Sequence, residues 1–122
     1  MAGRMAGKKV FITGAAQALG AAMAKGVAAE GAKVSLSDIN GAGAEKVAAE
    51  ITAAGGKASI AVFDVTDRVA VTAGVERIER EVGPIDILVN NAGIQRRQPL
   101  EDFPEETWRE VMTTNLDAVF FV

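Results

Sequence analysis

Lys9-Val10-Phe11-Ile12-Thr13-Gly14-Ala15-Ala16-Gln17-Ala18-Leu19-Gly20 is the stretch that decides the fold. An apolar run stops abruptly at Thr13-Gly14, and a helix-like segment rich in Ala, Leu and Met follows. A buried strand, a tight glycine turn and a helix start together make a backbone cradle for phosphate. The helix N-terminus offers unpaired N–H groups and a partial positive charge. Glycine lets a diphosphate approach the main chain, because no Cβ stands in the way.

Working outward, the pattern alternates between short apolar runs and helical periods. Strands are expected at 8–13, 33–37, 57–63 and 85–89, and helices at 19–30, 42–54, 67–82 and 104–122. Val71, Val75, Ile78 and Val82 keep helical spacing, as do Trp108, Met112 and Leu116. Gly31, Gly55-Gly56 and Gly83-Pro84 stand where helices should stop. Strands alternating with helices imply α/β architecture: a Rossmann-type, doubly wound parallel sheet with right-handed crossovers. A leader over 1–8, expected to be flexible, precedes one domain over 9–122.

Composition bounds the chemistry. The chain has 122 residues, enough for one domain, and 49% of them are hydrophobic, enough for a core. A net charge of −3 argues against a nucleic-acid surface or a polybasic membrane anchor. No apolar run approaches the roughly 20 residues of a membrane span. A soluble cytoplasmic protein is the expectation. There is no Cys, His or Tyr. Thiolate and imidazole chemistry are excluded, no metal site is expected, and Asp, Glu, Lys or a relayed water must serve as any general acid or base.

Ligands in such sheets bind at the C-terminal strand ends. Four features converge there: Gly14 to Gly20, Asp38, Asp64-Val65 and Asn90-Asn91-Ala92-Gly93. Asp38 lies 18 positions after Gly20, near the spacing at which a carboxylate meets a ribose 2′-hydroxyl. A carboxylate there repels a 2′-phosphate, so NAD is favoured over NADP. Alternatively, Asp38 caps the next helix. Asp64 could equally be a turn residue, and Asn90 to Gly93 a plain turn. Two adjacent amides at a buried strand end nevertheless need partners. The Gly-x-Gly-x-Gly turn of methyltransferase-type units is not matched.

In combination, Thr13-Gly14-(three residues)-Ala18-Leu19-Gly20, Asp38, Asp64-Val65, Asn90-Asn91-Ala92-Gly93 and Asn115 resemble the N-terminal half of a short-chain dehydrogenase/reductase. The segment Gly93-Ile94-Gln95-Arg96-Arg97 and the helix around Trp108 are most similar to the sugar-acid dehydrogenases of the gluconate 5-dehydrogenase kind. The resemblance implies that Gly14, Gln17, Ala18, Leu19 and Gly20 form the diphosphate turn. It implies that Asp38 meets the adenosine ribose, and Asp64 and Val65 the adenine. Asn90, Ala92 and Gly93 would pass the nicotinamide side, and Asn91 would brace the sheet. Asn115 would be the asparagine of the family's Asn-Ser-Tyr-Lys tetrad, or else simply an exposed helix residue.

Two departures matter. Ala18 stands where the family has its middle glycine, which costs roughly 1–2 kcal/mol if φ there is positive. The catalytic Ser and Tyr-x-x-x-Lys would lie beyond Val122, so the chain is expected to bind nucleotide without turnover. The sheet is expected to be truncated after the fourth strand and its following helix. The parent activity implied is NAD(P)-dependent oxidation or reduction of a secondary alcohol or ketone, with a small polar or sugar-acid substrate that Arg96 and Arg97 could meet by bidentate hydrogen bonds. A homo-oligomer is expected, through an open strand edge or through the apolar end Val119-Phe120-Phe121-Val122. The competing reading is a self-associating Rossmann fragment with a vestigial nucleotide site.

Overall fold

A computed structural model describes residues 3–122. Four strands, β1 (Lys9–Thr13), β2 (Lys33–Asp38), β3 (Lys57–Val62) and β4 (Ile87–Val89), pair in parallel in the order β3-β2-β1-β4. The chain moves outward from β1 to β3 and then crosses back to place β4 on the other side of β1. That reversal opens a crevice between the C-terminal ends of β1 and β4. Registers run Phe11 to Ser35 and Phe11 to Leu88 across the two central pairings.

Alternation along the strands divides the core. Val10, Ile12, Val34 and Leu36 face α1 (Ala18–Ala29) and α2 (Gly41–Ala53), and they pack on Ala21, Ala24, Ala28, Val47 and Ile51. Phe11, Ala61 and Phe63 face the other way, onto Val71 and Ile78 of α3 (Arg68–Glu81). Both faces of the sheet are covered, which is why β1 reads as a continuous apolar run. The alanines let α1 lie close to the sheet.

Local chemistry sets the helix limits. Asn40 caps α2 through Gly43 N, and Asp67 caps α3 through Ala70 N. Gly31, at φ +97°, ends α1 with two closing bonds, Gly31 N to Ala28 O and Ala32 N to Val27 O. Gly55 and Gly56 end α2 in the same way, on Thr52 O and Ile51 O. Over 3–8, Met5 N donates to Glu30 O at 2.9 Å and Arg4 pairs with Glu30 at 2.8 Å. Residues 1–2 of the expected leader lie outside the described residues.

Beyond one-residue shifts at element ends and a 3-10 turn over Leu100–Asp102, the structure differs from expectation in β4 and in the last helix. Strand β4 starts at Ile87, because Asp86 is already committed: its Oδ2 accepts from Lys9 N, and its own N–H donates to Lys9 O. The last helix is not uniform. It runs as α4 (Glu105–Met112), a π-helical segment over Thr113–Asp117 and α5 (Ala118–Phe121), with Pro104 at the capping position. Its apolar end is only partly covered. Val122 joins the α3-side core, and Arg68 stacks on the Phe121 ring at 3.8 Å, but Phe120 is 83% exposed.

Ile12 is fully buried between β2, β4 and the α1 face. Ile12→Ala should destabilise the fold by about 2–5 kcal/mol, seen as a lower midpoint in urea unfolding. An unchanged midpoint would mean that this core does not support the sheet.

Candidate functional site

A cleft of about 840 Å³ lies over the C-terminal strand ends. Its walls include Gly14, Gln17, Ala18 and Leu19 from the glycine turn, and Asp38 and Ile39 from the end of β2. Phe63, Asp64 and Val65 follow β3, and Asn91, Ala92, Gly93 and Ile94 follow β4. Arg109, Glu110, Thr113 and Thr114 close it from the last helix. Three expected residues do not line it. Gly20 is buried behind the turn, Asn90 borders a separate shallow recess beside Thr114 and Ala118, and Asn115 stands just outside.

The turn is built by close approach. Gly14 has φ +64°, and a Cβ there would stand 2.9 Å from Ala92 Cα. A Cβ on Gly20 would overlap the Gly14 carbonyl and come within 2.6 Å of the Asn91 amide. That amide donates to Gly14 O at 3.1 Å. Gly20 is therefore required by packing, and it draws α1 against β1. Ala18 adopts φ +50°, the left-handed region, and is the only non-glycine with positive φ among the described residues. Here the alanine carries the strain of a glycine position.

Thr13 ties the two strand ends together. Its buried hydroxyl oxygen accepts from Asn91 N and Ala92 N, both at 3.0 Å. It was not singled out as a site residue from the sequence. A hydroxyl closing a buried strand immediately before a glycine was the available signal, since such a group must find partners.

Asp38 is not a helix cap; Asn40 takes that role. The Asp38 carboxylate instead accepts from Ala16 N at 3.0 Å and Asn40 N at 2.9 Å. Asp64 Oδ1 accepts from the Thr66 N–H and hydroxyl in a local turn, while its residue still borders the cleft. Asn115 lies in the π segment, and both ends of its amide are used on one residue. Its Oδ1 accepts from Ile94 N at 2.8 Å, and its Nδ2 donates to Ile94 O at 2.9 Å. It fixes the loop after β4 to the last helix. π-helical turns of this kind recur at functional sites.

The cleft's charge is unbalanced. Asp38, Asp64, Glu106 and Glu110 border it, with Arg109 as its one basic wall residue among the described residues. Arg109 pairs with Glu105, and Arg96 with Glu110 at 2.7 Å; neither Arg96 nor Arg97 is a wall residue. Nothing in the sequence singled out Arg109. Glu50, held below the usual carboxylate range by its hydrogen bond to Lys25 and by the charges of Lys25 and Lys46, sits on α2 away from the cleft.

With Arg109 as its one basic wall residue among the described residues, and that residue paired to Glu105, this acidic cleft relies on backbone donors for an anion. The α1 N-cap, Gln17, makes no side-chain capping bond, unlike Asn40 and Asp67, so the first-turn N–H groups are left to whatever occupies the cleft. Ile39, Leu19 and Val65 give apolar wall for a planar ring. The residues present fit a dinucleotide. No group of three or more His, Cys, Asp or Glu able to hold a metal occurs among the described residues, and none of their helices is long and apolar enough to cross a membrane.

Comparison with known proteins agrees with this geometry. The short chain dehydrogenase family model matches residues 8–122. Gluconate 5-dehydrogenase of Gluconobacter oxydans (strain 621H) is 51% identical over 118 residues, covering 97% of this chain and 46% of the relative. The 5-keto-D-gluconate 5-reductase of Escherichia coli (strain K12) is 45% identical over 118 residues, covering 97% of this chain and 46% of the relative. The crystal structure of a gluconate 5-dehydrogenase from Burkholderia cenocepacia J2315, in complex with NADP and tartrate, superposes with a TM-score of 0.91 at 43% identity. It covers 98% of this chain and 47% of that one. The chain thus spans about half the length of the relatives it matches.

Replacing Ala18 by Gly should relieve the left-handed strain and stabilise the fold by about 0.5–1 kcal/mol, after the added freedom of the unfolded chain is counted. Thermal unfolding would show it as a raised Tm; a lowered Tm would mean that Ala18 is not strained. Gly20→Ala should do the opposite, because the new methyl meets the Gly14 carbonyl.

Proposed function

This chain belongs to the short-chain dehydrogenase family, and from that premise we propose that it is the dinucleotide-binding portion of an oxidoreductase, with NAD preferred over NADP. The observation that carries the reading is the uncapped start of α1 facing the cleft, with the Asp38 carboxylate beside the turn that leads into it. Uncapped N–H groups suit a diphosphate. A carboxylate in a wall whose acidic residues outnumber its basic one suits a ribose diol and disfavours a 2′-phosphate. The NADP-bound Burkholderia relative shows that its own site accepts the phosphorylated cofactor; the preference proposed here rests on Asp38.

For the whole protein we propose oxidation or reduction of a secondary alcohol or ketone, with a sugar acid such as gluconate as the substrate class. The support is the similarity to gluconate 5-dehydrogenase and 5-keto-D-gluconate 5-reductase. A bound nicotinamide would supply the two-electron chemistry. Within this chain Asn115 acts as a positioning residue, because its amide is committed to the Ile94 backbone. The 122 residues hold no Tyr, His or Cys, so the chain by itself binds cofactor without turnover.

A second reading, self-association, is favoured by the last helix. Trp108 and Leu116 are 56% and 57% exposed, and Phe120 continues the apolar run. We assign this surface to contact with a second copy.

NADH titration followed by nicotinamide fluorescence, with NADPH in parallel, tests the first reading. Saturable binding with NADH about tenfold tighter is expected. Binding of neither would overturn the dinucleotide role, and tighter NADPH would overturn the NAD preference. Incubating the purified chain with gluconate and NAD should form no NADH. In sedimentation, Phe120→Ser should shift the chain toward monomer; no shift would remove the second reading.

A further inference from the structure

Asp38 holds a position that ribose recognition alone does not explain. Each carboxylate oxygen is already engaged by the protein's own backbone, Oδ2 by Ala16 N at 3.0 Å and Oδ1 by Asn40 N at 2.9 Å. Ala16 belongs to the glycine turn, two residues before the strained Ala18. Asn40 caps α2 by accepting from Gly43 N at 3.0 Å. The two segments are in contact as well, since a Cβ on Gly43 would lie 3.0 Å from the Ala16 methyl. A neighbouring backbone bond, Ala15 N to Ser37 O at 3.0 Å, runs the same way. The turn after β1 is thus hung from the end of β2 by one main-chain bond and one charged bond.

We infer that Asp38 is the positioning residue of the phosphate turn, so that diphosphate affinity depends on it whatever the ribose carries. This rests on the dinucleotide reading above. A carboxylate offers about four acceptor sites. Two amides occupy one on each oxygen, which leaves sites for the two hydroxyls of a ribose. One group then does two jobs: it orients the N–H donors of the turn, and it reads the sugar. Charge-assisted bonds are the stronger class, which suits a group that holds Gly14 and Ala18 in left-handed geometry. The consequence is specific. Removing the Asp38 charge should not simply exchange NAD for NADP, because the same change loosens the turn that both cofactors need.

Asp38→Asn keeps the shape and removes the charge. Its amide nitrogen can no longer accept from one of the two backbone donors. If Asp38 only discriminates by charge, NADPH binds the variant more tightly than it binds the parent chain. If Asp38 positions the turn, the Kd values for NADH and for NADPH both rise, by about tenfold. Amide hydrogen exchange on the free chain is the companion measurement. In the parent chain Ala16 and Asn40 N–H should be protected. In Asp38→Asn at least one should exchange about tenfold faster, with β1 and β2 amides unchanged. Tightened NADPH binding, or unprotected Ala16 N–H in the parent chain, would overturn the inference. If the parent chain bound neither cofactor, the dinucleotide reading would fall, and exchange at Ala16 and Asn40 would still decide whether Asp38 holds the turn. Should the variant fail to fold, the parent-chain exchange measurement decides alone.

Discussion

The close approach of α1 to the ends of β1 and β4 is the constraint on which the rest depends. Gly14, Gly20 and Asn91 meet there without space for another methyl. Asn91 spends its side-chain amide on the Gly14 carbonyl, and Thr13 spends its hydroxyl on the Asn91 and Ala92 N–H groups. Because the helix is drawn in at its start, the residues it presents to the sheet must be small. Ala21, Ala24 and Ala28 are. The same contact sets the width of the crevice, since Gly14 and Ala92 form its two lips.

The electrostatics of the cleft follow from how its walls are built. Acidic side chains outnumber basic ones around it. The oriented N–H groups at the start of α1, which act at short range and in a fixed direction, suit a diphosphate in such a cleft. Such donors work only if the turn that carries them is held rigidly. The bonds from Asp38 to Ala16 and from Ser37 to Ala15 supply that hold. The strain at Ala18 is tolerated inside this frame because the surrounding contacts fix the backbone on either side.

The last helix shows the same economy of polar groups. Its π segment places Asn115 where both halves of its amide reach the Ile94 backbone. The loop after β4 would otherwise have free N–H and C=O groups at this point, and the asparagine satisfies both. The adjoining α4 supplies Arg109 and Glu110 to the cleft wall. Its outer stripe, with Trp108, is left uncovered by the rest of the chain.

Much of this was legible in the sequence. The short apolar runs of the strands, the helical periods and the glycine stops fix the order of elements. Hydrophobic burial and backbone sterics act locally, so a linear reading captures them. The family's motif residues at four strand ends could likewise be read in line, because parallel strands bring all their C-terminal ends to one side. What only the tertiary structure decided is the partner of each polar group. That Asp38 faces Ala16 N and Asn40 takes the cap, that Thr13 joins β1 to the loop after β4, that Asn115 grips Ile94, and that Arg109 borders the cleft all depend on distances between segments 20 or more residues apart, Asn40 excepted. A hydrogen bond needs its two atoms within about 3 Å and aligned. Periodicity specifies which face a residue occupies and leaves its angstrom-scale neighbours to the packing of the whole sheet.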